Sequence, residues 1–355
     1  VLDCGEIIRN KLTLQNEDLD LLALFDSVGH ACAIIAEDKN IEVHFDIAED
    51  VPNFIHSDPH RLYQLLMCLM NNAVKFTFEG DVLLKCTLGE VFDDQCTLNF
   101  QVIDSGVGIS KEKQSEIFEF FSQAEMSANR AYGGLGLGLT ISKTIVELMS
   151  GCILCESTVG VGSTFSFNVV VGKVESADVQ ENALKNVDAL RVLIVDDNEI
   201  SLSVLSRLIQ QLGWEVVTAT GSDAAVDQLS LALEREEGFD LALIDWNMPE
   251  KSGIDLVKDI RTQFSVKDMP ILVMVTAYTR KMLSQVDNRD VEHLLSAFLT
   301  KPVSRAMLID LVNSVIGSDK KGFTKLNPAS RKLDSFRVLL VEDNETNHFI
   351  AKNLL

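Results

Sequence analysis

Arg191–Glu199 reads Arg-Val-Leu-Ile-Val-Asp-Asp-Asn-Glu, an apolar run that ends in paired acids. Val192–Val195 is an unbroken apolar run, too short for a helix and rich in β-branched side chains, which reads as a strand covered on both faces. The run stops at two carboxylates, Asp196 and Asp197. The chemistry is therefore expected at the carboxyl end of the strand, where open α/β sheets bind their ligands. The pattern returns at Arg337–Glu345 as RVLLVEDNE, identical at seven of nine positions. Ten residues follow that second copy, ending at Leu355, so it is expected to be the start of a second such domain that the chain does not complete.

Beyond the strand, Ile200, Val204, Leu205, Leu208, Ile209 and Leu212 recur at helical spacing, and Gly213 stands where a helix stop belongs. A strand at Glu215–Ala219, a helix through Ala224–Leu233 and a strand at Leu241–Ile244 follow. Gly253 opens a further helix, and Ile271–Val275 and Ala297–Leu299 are the last two strands. Five strands alternating with helices predict a doubly wound, five-stranded parallel sheet over residues 190–317. Residues 13–172 read differently. Leu19–Ala36 and Leu139–Met149 are amphipathic helices, and Pro59–Val74 is strongly apolar. Ile41–Ile47, Val82–Leu88, Thr97–Ile103, Ile153–Glu156 and Thr164–Val171 read as strands. This predicts an α+β sandwich with helices on one face of a mixed sheet. The chain is thus α/β multidomain, with polar linkers at 173–189 and 318–334. The second linker carries Lys320, Lys321, Lys325, Arg331 and Lys332.

Composition bounds the function. The 355 residues carry 31 Lys and Arg against 53 Asp and Glu, a formal charge of −22, with 46% hydrophobic and 24% charged residues. That is soluble globular composition for two or three domains. The acidic excess argues against direct, sequence-independent nucleic-acid binding, which needs Lys and Arg against phosphates. No apolar run approaches the roughly 18 residues of a membrane span, and Val1-Leu2-Asp3 reads as neither a signal peptide nor a native start. Seven scattered Cys predict reduced thiols in a cytoplasmic setting. The Cys152-x-x-Cys155 pair lies on a strand, has no second pair, and reads as core.

Two glycine-rich segments mark a ligand site in the first block, Asp104–Ile109 (DSGVGI) and Gly133–Leu139 (GGLGLGL). Glycines let backbone approach a ligand, and a glycine run opening a helix aims N–H groups at phosphate. Neither segment has Walker or dinucleotide spacing. An asparagine-bearing helix, Arg61–Thr77, precedes them. With Asn72-Ala73-Val74-Lys75-Phe76-Thr77, the phenylalanine-rich Ile117–Gln123 and the closing Gly162-Ser163-Thr164-Phe165, this block resembles the ATP-binding domain of sensor histidine kinases, within the gyrase-like ATPase superfamily. The resemblance implies ATP and Mg²⁺ as ligands. It assigns Asn72 to Mg²⁺, Lys75 and Arg130 to phosphate, and Asp104 beside Gly106 and Gly108 to the adenine amino group. Gly134, Gly136 and Gly138 are expected to line the phosphates where a mobile lid, which carries Arg130, meets its helix.

The block departs from the family at Cys68, where such kinases carry another Asn one turn before Asn72, and at Leu135, where Thr is usual. None of the six His lies in an H-E/D-x-x-x-P segment. Residues 1–12 resemble the tail of a dimerisation hairpin. The acceptor His is therefore expected upstream, with homodimerisation through that hairpin, and the full-length protein is expected to have a membrane anchor upstream.

The second block resembles a response-regulator receiver domain. Asp196 and Asp197 end its first strand, Asp245 its third and Thr276 its fourth, and Lys301 follows its fifth. In a parallel sheet these converge at one edge. Three adjacent carboxylates repel unless a divalent cation joins them, and oxygen ligands predict Mg²⁺. The resemblance implies that Asp245 accepts a phosphoryl group from phosphohistidine. Asp196, Asp197 and the Asn247 carbonyl would hold the metal, while Lys301 and Thr276 contact the phosphoryl. Phe298 would be an aromatic switch, and Lys301–Pro302 a cis turn. Residues 335–355 match the start of a second receiver, with Glu342 and Asp343 as its acidic pair. The whole reads as a hybrid sensor histidine kinase, passing phosphate to a downstream phosphotransfer protein or response regulator. A degenerate kinase acting as a regulatory scaffold is the alternative that Cys68 motivates.

Overall fold

The computed structural model describes residues 12–36, 39–119, 137–174, 189–265, 267–277 and 294–315. Arg130, Gly134 and Gly136, most of both linkers and the second repeat lie outside the described residues, as do residues 1–11.

The first domain is built from β1 (Glu17–Asp20), α1 (Leu21–Ala36), β2 (Asn40–Ile47), β3 (Phe54–Ser57), α2 (Pro59–Phe76), β4 (Glu79–Val91) and β5 (Gln95–Asp104). A short α3 (Lys111–Gln114), α4 (Gly138–Leu148), β6 (Ile153–Thr158) and β7 (Gly162–Lys173) complete it. Its sheet runs β1-β3-β7-β5-β4-β2, with β6 also on β7. Only β2–β4 is parallel among these pairs. Alternation along β5 buries Leu98, Phe100 and Val102 against Leu62, Leu65, Leu66 and Leu69 of α2 in one core. Phe100 stacks on Phe167 at 4.7 Å.

Helix α2 starts where the sequence says it must. Asp58 accepts from Arg61 N at 3.0 Å, and Pro59 occupies the first turn, where a missing N–H costs nothing. At its other end the Lys39 ammonium reaches the carbonyls of Val74, Lys75 and Thr77 at 2.5, 2.8 and 3.1 Å. Those are carbonyls that a helix end leaves without intrahelical partners. The expected helix from Leu19 begins at Leu21 instead. Leu19 sits in β1, paired with Ile55 of β3. Both strands are four residues long, too short for alternation to announce them.

The second domain comprises β8 (Arg191–Val195), α5 (Glu199–Gln211), β9 (Glu215–Ala219), α6 (Ser222–Glu234), β10 (Leu241–Asp245), α7 (Gly253–Gln263), β11 (Ile271–Thr276), β12 (Ala297–Thr300) and α8 (Arg305–Val315). The sheet is wholly parallel in the order β12-β11-β10-β8-β9. Period-two alternation splits β8 between two cores. Val192 and Ile194 pack toward Leu205, Ile209 and Leu308, while Leu193 and Val195 pack toward Ala225, Leu256 and Ile260. Helix α8, absent from the sequence reading, covers the first of these cores with Leu308, Leu311 and Val312.

Candidate functional site

The parallel sheet brings the predicted acidic residues together. Asp196 and Asp245 sit at the carboxyl ends of neighbouring strands β8 and β10, and both are buried; Asp197 beside them is exposed. One carboxylate oxygen from each of the three lies within 4.8 Å of the others. Lys301, 4% exposed, places its Nζ 2.8 Å from Asp196 Oδ2 and 2.7 Å from Asp245 Oδ1. Thr276, buried at the end of β11, accepts Lys301 N on its carbonyl at 2.9 Å. The Lys301–Pro302 peptide is cis.

Local bonds fix the carboxylates. Asp196 Oδ1 accepts from Asn198 N at 2.9 Å and its Oδ2 from Ser201 Oγ at 2.5 Å. Asp245 Oδ2 accepts from Asn247 N at 2.7 Å. Gly253 must be glycine, because a Cβ there would lie 2.0 Å from the Asp245 carbonyl oxygen. Phe298 is half-buried against the second core, with Met248 and Trp246 in the same cluster.

The electrostatics are those of a cluster short of positive charge. Burial, with Asp196 and Glu42 nearby, lifts the Asp245 carboxyl to about 6 even though Lys301 opposes the rise. Burial alone would lower the Lys301 ammonium, but Asp245, Asp196 and Glu42 outweigh it and push it up. Burial also raises Asp197. The donors are all hard carboxylate oxygens, the set Mg²⁺ takes, so the residues fit that ion.

Glu42 was not foreseen. It belongs to β2 of the first domain, yet its Oε2 lies 2.9 Å from Lys301 Nζ. Asn198 Nδ2 donates to the same oxygen at 3.1 Å and to Asp81 Oδ1 at 2.7 Å. No signal near Glu42 in the sequence could have disclosed a partner 259 residues away.

The nucleotide site is described in part. Asp104, 7% exposed, accepts on Oδ1 from Gly106 N at 2.9 Å and Ser163 N at 3.2 Å. Burial raises its carboxyl against those bonds. Ser163, which anchors Asp104, stood in the quoted Gly-Ser-Thr-Phe segment without a role. Gly106 and Gly108 serve internal packing: a Cβ on them would meet Phe76 O at 2.5 Å and Thr158 O at 2.1 Å. Asn72 is half-buried on α2, whereas Asn71 is exposed. The Lys75 ammonium lies 4.9 Å from the Phe76 ring centre. Cys68 packs where α2 meets α4. A Cβ on Gly138 would be 2.8 Å from its Sγ, and its thiol, pushed up by burial, bonds Ser142. The buried Thr77 hydroxyl has no hydrogen-bond partner among the described residues.

The expected core role of Cys152 does not hold. It is exposed just before β6, with Sγ 3.2 Å from Asn168 Oδ1, while Cys155 inside the strand packs on the core. A cysteine outside the strand escapes the alternation argument.

Residues 57–172 match the family described as histidine kinase-, DNA gyrase B-, and HSP90-like ATPase, and residues 192–313 match the response regulator receiver domain. Over 352 residues the chain is 29% identical to the sensory/regulatory protein RpfC of Xanthomonas campestris, covering 90% of this chain and 47% of that protein. It is 29% identical over 311 residues to the aerobic respiration control sensor protein ArcB of Escherichia coli, covering 87% and 39%. It is 30% identical over 280 residues to the autoinducer 2 sensor kinase/phosphatase LuxQ of Vibrio cholerae, covering 77% and 32%. The chain thus spans about half or less of the relatives it matches. The crystal structure of full-length ShkA in complex with AMPPNP shares the fold, with a TM-score of 0.65 and 24% identity over 96% of this chain and 65% of that one. No helix among the described residues is long and apolar enough to cross a membrane. The chain therefore joins a histidine kinase-, DNA gyrase B-, and HSP90-like ATPase domain to a response regulator receiver domain, and is similar over most of its length to the sensory/regulatory protein RpfC and the sensor protein ArcB.

Proposed function

We propose that this chain is the ATP-binding and receiver portion of a hybrid sensor histidine kinase that phosphorylates a histidine supplied from outside it and receives the phosphoryl group on Asp245. The observation that carries the reading is the buried triad of Asp196, Asp245 and Lys301 at the carboxyl edge of the parallel sheet. Asp245 Oδ attacks the phosphorus of a phosphohistidine, the P–N bond breaks, and the imidazole departs with a proton. Lys301 holds the acceptor oxygen in place and balances the phosphoryl charge, and Thr276 closes the same edge. Asp196, Asp197 and Asp245 would hold Mg²⁺, with the Asn247 carbonyl as a further contact; bound there, the ion neutralises charge on the transferring phosphoryl.

In the first domain Asp104 reads the adenine amino group. Asn72 serves the Mg²⁺ that accompanies ATP, while Lys75 and Arg130 serve the phosphates. Gly134, Gly136 and Gly138 belong to the same phosphate-facing segment. Cys68, one helical turn before Asn72 and packed at the α2–α4 contact, is a structural substitution that leaves Asn72 half-buried on α2. The domains are 13–172 and 190–317, with the start of a second receiver at 335–355. Pairing into a homodimer through an upstream hairpin, and onward transfer to a phosphotransfer protein or response regulator, complete the proposal, in a cytoplasmic setting. Asp245→Asn is expected to abolish acid-labile, hydroxylamine-sensitive phosphate on the receiver. Labelling that persists at the wild-type level would overturn the assignment.

A further inference from the structure

Lys301 has three N–H donors, and three carboxylates take them: Asp196 at 2.8 Å, Asp245 at 2.7 Å and Glu42 at 2.9 Å. The first two stand on adjacent strands of one sheet and cannot leave without dismantling it. Glu42 alone comes from the other domain. Asn198 repeats the arrangement. Its amide oxygen accepts from Ile200 N and Ser201 N as the cap of α5, so its amino group faces outward, to Glu42 and Asp81. Asp81 is backed by His44 Nε2 at 2.9 Å.

The contact continues along α5 away from the acceptor. Arg207 Nη1 reaches both oxygens of Asp46 at 2.5 Å, and Gln211 Nε2 donates to Ile47 O at 3.0 Å. In each of these bonds the donor is on the receiver and the acceptor is on the β2–β4 edge of the ATPase domain. Between them a cavity of about 230 Å³ has Glu42 and Asp81 on one wall and Asp197, Asn198, Asp245 and Thr276 on the other.

We infer that the β2–β4 edge of the ATPase domain is a docking surface for the unphosphorylated acceptor face of the receiver, and that Glu42 is the residue which gives way when Asp245 is phosphorylated. The inference rests on the receiver reading above. A phosphoryl on Asp245 brings a charge of about −1.5 to −2 and three acceptor oxygens into that cavity. It competes for the Lys301 donor that Glu42 holds and repels the acidic wall, so the phosphorylated receiver loses both the cation and the fit that keep it docked. By reciprocity, docking disfavours the phosphorylated state at equilibrium, and with Glu42 on Lys301 and an acidic wall facing Asp245 an anionic phosphodonor reaches the acceptor more slowly.

The test uses the whole chain with acetyl phosphate and MgCl₂. In that reaction Asp245 Oδ forms the new bond to phosphorus as acetate leaves. Phosphate incorporation is followed by intact mass, and the radius of gyration by small-angle scattering of the same sample. Incorporation is expected to raise the radius of gyration. Glu42→Ala is expected to show the larger radius without phosphate and to phosphorylate about tenfold faster, the lower end of what close interfacial charge pairs contribute. Asp46→Arg and Arg207→Asp should each loosen the domains alone and restore docking together. Phosphate incorporated with an unchanged radius, or a Glu42→Ala protein matching wild type in radius and rate, overturns the docking surface while sparing the receiver reading. No phosphate on wild type overturns the receiver reading and the coupling with it.

Discussion

Replacing Asp104 by Asn tests the nucleotide site at the level of single atoms. Asp104 Oδ1 is committed to Gly106 N and Ser163 N. The amide must point its own oxygen there, because turning its NH₂ toward two N–H groups would leave three buried donors facing one another. The NH₂ then occupies the place of the second carboxylate oxygen, and a base that offers an amino group meets a donor where it had an acceptor. A hydrogen bond to a charged acceptor contributes about 1.5–3 kcal/mol, so ATP affinity should fall roughly 10- to 150-fold.

The fold should survive the change. Burial raises the Asp104 carboxyl above its ordinary 3.8. A raised folded-state value favours folding at pH below the unfolded value, and that contribution disappears as pH rises through the folded-state value. At pH 7 the ionised wild-type residue therefore carries a burial cost that Asn lacks, and the variant should be no less stable to urea. The assay is calorimetric titration with ATP and with inosine triphosphate, whose carbonyl replaces the amino group. Wild type should prefer ATP, and the variant should lose or invert that preference. Equal affinities for ATP in the two proteins, with both folded, would refute the role given to Asp104.

Lys301→Met should cost about 3–5 kcal/mol in urea unfolding with chelator present, because Asp196, Asp245 and Glu42 lose the cation they share. Gly253→Ala pushes a Cβ to within 2.0 Å of the Asp245 carbonyl. It should cost about 1–3 kcal/mol and slow labelling of Asp245 by acetyl phosphate, both measurable on one preparation. Lys39→Ala uncaps α2 at three carbonyls and should lower ATPase-domain stability by about 1–2 kcal/mol in thermal unfolding. Among the described cysteines, a thiol reagent should modify exposed Cys152 rapidly in the native protein. Cys32, whose thiol burial pushes up to about 12, and buried Cys86 should react only after unfolding.

What could be read in the sequence depended on the range of the interaction behind each feature. Strands β8, β10 and β11 and the helices between them follow from runs of four or five apolar residues and from spacing at three and four. Both are local consequences of backbone geometry. The convergence of Asp196, Asp245 and Lys301 was equally legible, since a parallel sheet carries the carboxyl ends of its strands to one edge whatever their order. Helix α8 carries the same local signal, with Leu308, Leu311, Val312 and Val315 at helical spacing and Asp310 and Asn313 on its exposed side. Strands β1 and β3 escaped notice because four-residue segments contain too few alternations to register.

Glu42 is a different kind of omission. In its own strand it alternates with buried Ile41 and Val43 and reads as the solvent face of β2, which is the correct local answer. Its partner is fixed by the meeting of two independently folded sheets, and such a meeting leaves no periodic trace in either. The receiver motif itself nevertheless contains the constraint. A buried lysine with only two fixed carboxylates has one donor left over, and a buried donor left unsatisfied costs about 1–3 kcal/mol. Some acceptor had to fill that position before a phosphoryl arrived. Here the acceptor is a carboxylate from the ATPase domain, so under the docking proposal a phosphoryl on Asp245 would compete with that domain directly for the Lys301 donor.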